Sequence, residues 1–482
     1  MSTSTTRVRR VMNTLETVVQ LSDQIRDAQS QCLQQINDIL ARTGAQQSTV
    51  ASLAMDDPDD LFDRYMPVCP DYFLDDDTSR HCRGGGASPR TRAARVQLPR
   101  GGNGRWPSQP AALRERGVAP PPDQTCATVD DLVAVLDKEM GAGTRPDLSH
   151  LNQVNVCTAF HRLAKLHLAS WTSLRTEVRG ALIARLTDCV PQFDARHFPN
   201  LLWAFAVLRG SIFADPEAEG LFEGVLRRAE SVYADPQVSV QPQFLSNMLW
   251  ALSLLERRQQ ALLECLGSRA QALFTSDNAT GGFRSQEFAN IVWGFGRLHA
   301  GTPELFDTFA NAVGPVFDSV AEEESLRGLP QTISNVSLGF AHSAHASEPA
   351  RRAALEACES KAILSQFTEQ GLCNVAWSMG LPKICLPNFL GGIAVELESR
   401  RTIQRPVHWL IVLWSMIRCE FMRESLFVTF GNRVTPHVKR LGDRDLQSCL
   451  SLYRRADVHS PRFVNAVIQE AERRQLVLLG NA

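Results

Sequence analysis

One stretch, Phe288-Ala-Asn-Ile-Val-Trp-Gly-Phe-Gly-Arg-Leu298, returns in variants along the last three-quarters of the chain, and its period constrains the fold more than any other feature. With its Asn as position zero, copies begin at Asn155, Asn200, Asn247, Asn290, Asn335, Asn374, Ile411 and Ser448. Their spacings are 45, 47, 43, 45, 39, 37 and 37 residues. A period in this range marks a solenoid of stacked helical units, none of which can bury its apolar face alone.

Reading the copies column by column gives the helix and its buried face. Two residues before zero stand Phe198, Leu245, Phe288, Ile333, Leu372, Trp409 and Leu446. At plus one come Val156, Leu201, Met248, Ile291, Val336, Val375 and Val412. Plus five holds Phe160, Phe205, Leu252, Phe295, Phe340, Met379, Met416 and Tyr453, and plus eight holds Leu163, Leu208, Leu255 and Leu298. These offsets share one side of a 3.6-residue helix. Plus four is small nearly throughout (Ala159, Ala204, Ala251, Gly294, Gly339, Ser378, Ser415), which lets a neighbouring helix approach closely. A second amphipathic helix follows each copy, for example over 221–234, 262–274, 303–320, 389–400, 424–441 and 462–478. The expected fold is all-α: a right-handed-type α-solenoid of about eight helical hairpins over 126–482. Thr158 and Ser451 replace the repeated Trp in the first and last copies, as terminal caps allow.

Ahead of the array, residues 1–10 carry three Arg and five hydroxyls, with no acid before Glu16, like the start of a transit peptide or a polar terminus. Residues 11–40 lack Gly and Pro and read as an N-terminal helix within a 1–44 segment. Val11, Val18, Ile25, Cys32 and Ile39 recur every seven residues, the spacing of a coiled-coil or packing seam. Residues 45–125, with acidic blocks at 56–60 and 75–77 and then Arg/Gly/Pro-rich sequence, are too poor in apolar side chains to offset chain entropy. They are expected to be a disordered linker.

A formal charge of −2 excludes a global basic footprint, so any nucleic-acid surface must be local. Of 50 cationic Lys and Arg residues only five are Lys, leaving mainly the residue that grips phosphates bidentately. The 12 Cys are scattered without a Cys-x-x-Cys, which points to a reducing compartment and no zinc site. No catalytic motif and no cofactor fingerprint appears. No apolar run reaches the roughly 18 residues of a membrane span.

Laid out this way, Gln286-Glu-Phe-Ala-Asn-Ile-Val-Trp-Gly-Phe-Gly-Arg-Leu298 and Gln243-Phe-Leu-Ser-Asn-Met-Leu-Trp-Ala-Leu-Ser-Leu-Leu255 resemble the core of the octotricopeptide and heptatricopeptide repeats. The resemblance covers about 130–480 and is specific in four copies. It implies a non-catalytic partner of single-stranded RNA in mitochondria, alternatively in plastids or the cytoplasm, acting in RNA processing, stability, editing or translation. The alternative is a structural scaffold subunit of a ribonucleoprotein complex, a mitochondrial ribosome or an RNA-editing assembly, with the solenoid used for contacts with protein partners. Similar repeats occur in the FAST-kinase-like proteins, and many relatives end in a small RAP domain; none is expected here.

Two columns qualify for contact with RNA. Plus seven carries Arg162, Arg297, His342, Arg418 and Arg455, either a cationic stripe for phosphates or cations that complement helix C-termini. Four before zero stand Gln243, Gln286, Gln331 and Gln370, one turn from Asn247, Asn290, Asn335 and Asn374 (Asn200 has Arg196 there). Amides so spaced can bond each other, which favours a structural role. Trp203, Trp250, Trp293, Trp377 and Trp414 lie among apolar columns, so core is the preferred reading over base-stacking platforms.

Overall fold

The computed structural model describes residues 128–140, 148–166, 170–274, 278–320 and 323–476. The segments 1–44 and 45–125 lie outside the described residues. Those described contain seventeen α-helices, four short 3-10 helices and no strand. None of these helices is long and apolar enough to cross a membrane.

A leading helix, α1 (Val129–Met140), precedes eight pairs. The motif helices are α2 (Gln153–Lys165), α4 (His197–Ile212), α6 (Pro242–Leu254), α8 (Ser285–Arg297), α10 (Glu323–His342), α12 (Glu369–Gly380), α14 (Pro406–Arg418) and α16 (Asp443–Ala456). Their companions are α3 (Thr176–Cys189), α5 (Pro216–Ala234), α7 (Gln260–Leu273), α9 (Pro303–Asp318), α11 (Glu348–Lys361), α13 (Pro387–Ser399), α15 (Glu424–Val434) and α17 (Pro461–Arg473). Each motif helix packs on the next motif helix in an unbroken series from α2 to α16. Companions touch their successors from α1 through α11 and again from α13 through α17.

Local chemistry sets the helix ends. Asn152, Asp215, Thr302, Ser347 and Thr368 accept first-turn N–H groups through their side chains, satisfying donors that have no partner within the helix. Five motif helices end on a left-handed residue at plus nine: Glu256, His299, Lys383, Glu420 and Asp457, with φ between 48° and 56°. The next N–H then bonds the plus-five carbonyl, as from Ala300 to Phe295 (2.9 Å) and from Ile384 to Met379 (2.9 Å). This is the Schellman closure made without glycine. Residues 424–441, expected as one helix, divide into α15 and a 3-10 helix over Thr435–Arg440. Pro436 explains the break, since it lacks the N–H that would continue the α-helical hydrogen-bond series and its ring crowds the carbonyl one turn earlier.

The predicted columns form the core. Phe198, Leu245, Phe288, Ile333, Leu372, Trp409 and Leu446 are buried, as is the whole plus-five column. Each such side chain contributes about 1.5–3 kcal/mol relative to exposure. The rings join across copies and layers: Phe160 meets Phe205 at 5.1 Å, and Phe306 of α9 meets Phe340 of α10 at 5.6 Å.

Small residues let motif helices touch through their backbones. A Cβ on Gly296 would lie 2.0 Å from the Gly339 carbonyl oxygen, and one on Gly339 2.6 Å from the Val292 carbonyl. A Cβ on Gly380 would lie 2.9 Å from Ser415 Cα, and Ser253 Oγ donates to the Gly294 carbonyl at 3.2 Å. Plus six of one copy therefore faces plus four of the next. That plus-six column (Ala206, Ser253, Gly296, Ala341, Gly380) was as readable as plus four. So was a buried anchor seven residues before zero: Leu148, Phe193, Phe283, Phe367 and Leu441.

Candidate nucleic-acid interface

The C-terminal turns of successive motif helices lie together, and the plus-seven side chains sit where they meet. Arg297 donates to the Glu256 carboxylate of the preceding copy at 3.1 Å. Arg418 donates from Nε and Nη2 to the Gly380 and Leu381 carbonyls at 3.3 and 3.2 Å, and its guanidinium stands 5.4 Å from the Trp414 ring. His342 lies 4.8 Å from the Trp377 ring of the following copy. Arg162 is half-buried on α2, and only Arg455, on α16, is exposed. Three of the five thus engage a neighbouring copy. The carbonyls at a helix C-terminus carry partial negative charge, which explains the cation on Gly380 and Leu381.

The repeated tryptophans do not provide an open stacking platform. Trp203, Trp250, Trp293 and Trp377 are buried at 8% exposure or less, and half-buried Trp414 lies under Arg418. The amides divide. Asn290 Nδ2 donates to Ser246 Oγ of the preceding copy at 3.2 Å, tying α8 to α6. Gln331 Nε2 donates to Asn335 Oδ1 at 2.8 Å, the one-turn pair that the spacing allowed, formed within α10. Asn374 is buried and its Oδ1 has no hydrogen-bond partner. Gln243, Gln286 and Asn200 are exposed, while Asn247, Asn335, Gln331 and Gln370 are half-buried.

Many other arginines hold carbonyls at the ends of preceding elements, a role the column analysis missed. Arg269 of α7 reaches the Tyr233 (3.2 Å), Asp235 and Pro236 (3.1 Å) carbonyls beyond α5. Arg433 of α15 reaches Leu397 (3.4 Å) and Glu398 (2.9 Å) at the end of α13. Both stand 22 residues after their copy's zero. Arg400 and Arg474 stand 26 after theirs, reach back to the Phe367 (2.6 Å) and Leu441 (2.8 Å) carbonyls, and bond Glu396 and Glu470 one turn earlier. Extending the columns into the second helix would have exposed both registers. A planar fork of donors suits this work better than an ammonium, which accounts for part of the arginine excess.

The chemistry of the interior is inert. Burial pushes the thiols of Cys157 and Cys358 up to about 12 and likewise raises those of Cys373 and Cys449. They behave as small apolar side chains. Burial, assisted by the Arg405 charge, lowers the His408 imidazole to about 4, and neither ring nitrogen has a hydrogen-bond partner. Among the described residues, no three His, Cys, Asp or Glu side chains converge as a metal set. Compared with models of known protein families and with curated proteins, the sequence matches none.

Proposed function

We propose that the chain is a non-catalytic α-solenoid of eight helical hairpins that binds single-stranded RNA in an organelle, the mitochondrion first, and acts in RNA processing, stability, editing or translation. The observation that carries this reading is the amide edge. Asn200, Gln243 and Gln286 are exposed, and Asn247, Gln331, Asn335 and Gln370 half-exposed, on five consecutive motif helices that resemble octotricopeptide repeats. Amides at two registers one turn apart can bond the edges of unstacked bases. Exposed Arg284 at the start of α8 and Arg405 at the start of α14, the motif helix that follows these five, offer phosphate contacts. In this reading RNA lies along the helix starts, and the plus-seven column belongs to the seam between copies.

A second reading is a scaffold subunit of a mitochondrial ribosome or RNA-editing complex. Its support is the engagement of Arg297, His342 and Arg418 in contacts between copies, together with the formal charge of −2. Crosslinking the purified protein to total organellar RNA separates the two. The RNA reading expects salt-sensitive retention, at least tenfold weaker in a Gln243→Ala/Gln286→Ala double variant and nearly unchanged in Arg297→Ala. No retention at low salt leaves the scaffold.

A further inference from the structure

Two free thiols in adjacent copies lie at the ends of the same seam. Cys385 stands in the turn from α12 to α13, and Cys419 is the residue following α14. Three contacts bring these turns side by side. Arg418, next to Cys419, donates to the Gly380 and Leu381 carbonyls at the end of α12. The Phe421 ring lies 3.4 Å from where a Cβ on Gly391 of α13 would stand. The two thiols lie near enough for each to shift the ionisation of the other.

Both turns are also held in shape. Lys383 and Glu420 are left-handed, and the N–H groups of Ile384 and Phe421 close onto the Met379 and Met416 carbonyls at 2.9 and 3.0 Å. Cys385 and Cys419 are half-exposed, unlike buried Cys157, Cys189, Cys358, Cys373 and Cys449. A small reagent can reach this pair.

We propose that Cys385 and Cys419 are a thiol modification site, oxidised by small disulfides of the glutathione class to one disulfide that fastens the α12–α13 turn to the end of α14. The Cys385 thiolate attacks one sulfur of the reagent; that S–S bond breaks, and the departing thiolate takes up a proton. Cys419 then gives its proton to solvent and attacks the Cys385 sulfur, expelling the second small thiol. Two protein thiols are oxidised and one small disulfide is reduced to two thiols. The order follows from the surroundings. Burial raises both thiols, but the Cys419 thiol and then the Arg352 charge favour the Cys385 thiolate, whereas Cys419 is pushed up to about 12 by burial and by Cys385 despite the Arg418 charge. Low thiolate content makes the first step slow at neutral pH and faster as pH rises.

The experiment incubates the reduced full chain with oxidised glutathione at pH 8, quenches with acid and alkylating agent, and maps a non-reducing digest by mass spectrometry. The expected product is a Cys385–Cys419 linked peptide pair, two hydrogens lighter than its parts and lost on reduction. Amide exchange over 381–387 and 418–423 should slow at least tenfold on linkage. Cys385→Ser should abolish the link and leave Cys419 almost unmodified. A glutathione adduct that persists on Cys385, linkage of either thiol elsewhere, or no modification after prolonged exposure overturns the proposal. The wild-type map decides this even if a variant folds poorly.

Discussion

Glycine at the crossings of motif helices is packed against backbone, whereas several glycines on the companions stand in open space. On the motif helices, a Cβ at Gly294, Gly296, Gly339 or Gly380 would fall 2.9 Å or less from an atom of the neighbouring motif helix. On companions α3, α5 and α9, a Cβ at Gly180, Gly220, Gly224 or Gly314 meets nothing within 4 Å. The motif series is joined backbone to backbone, with rigid partners that cannot yield. The companions are joined more through long side chains, above all arginines on carbonyls. Stacking geometry is therefore set on the motif side, and the companion side adapts to it.

The largest effect that tests this contrast is Gly296→Ala. Its added methyl cannot coexist with the Gly339 carbonyl, so α8 and α10 must separate, at a cost of about 4 kcal/mol or more in urea unfolding. A loss under 1 kcal/mol would mean that the motif helices are not locked at this crossing.

His408 tests the motif interior through pH. Its folded imidazole titrates at about 4, whereas an exposed one titrates at about 6.5. Below pH 6.5 the unfolded chain takes up a proton that the folded protein excludes until about pH 4. Stability that is fully present above pH 6.5 is thus lost as pH falls through this window. From pH 7 to pH 5 the loss at this one group is about 2 kcal/mol. His408→Leu should flatten the pH dependence of unfolding by that amount; equal slopes in variant and wild type would refute it.

The smallest effect has the opposite sign. Gly224→Ala, in open space on α5, should stabilise by about 0.5–1 kcal/mol through backbone entropy and helix propensity. Destabilisation there would erase the difference between the two series.

Most of the fold was legible because repetition averages out local ambiguity. The plus-one and plus-five columns marked the core, and helix starts such as Pro303 and Glu424 were read correctly. Plus four announced close approach, but its partner at plus six was missed. A contact between copies is a property of two columns, and each column alone shows only its own chemistry. The same limit applies to the candidate site. Arg297 and Arg418 read as cations on one edge, yet their partners, Glu256 and two carbonyls, lie about 40 residues earlier. Carbonyls leave no trace in sequence at all. The amide spacing was more informative, since Gln331 and Asn335 pair within one turn as their separation required.

At Gly296 and Gly339 the α8 and α10 backbones already touch, so this joint has a fulcrum. It cannot shorten on the motif side. Any flexing must rotate about that contact and be taken up between α9 and α11, where Lys361 pairs with Asp318 and Ser347 bonds Asp307 at 3.4 Å. Those exposed polar links are the part of the joint that can stretch, and a ligand that changes its curvature would act on them first.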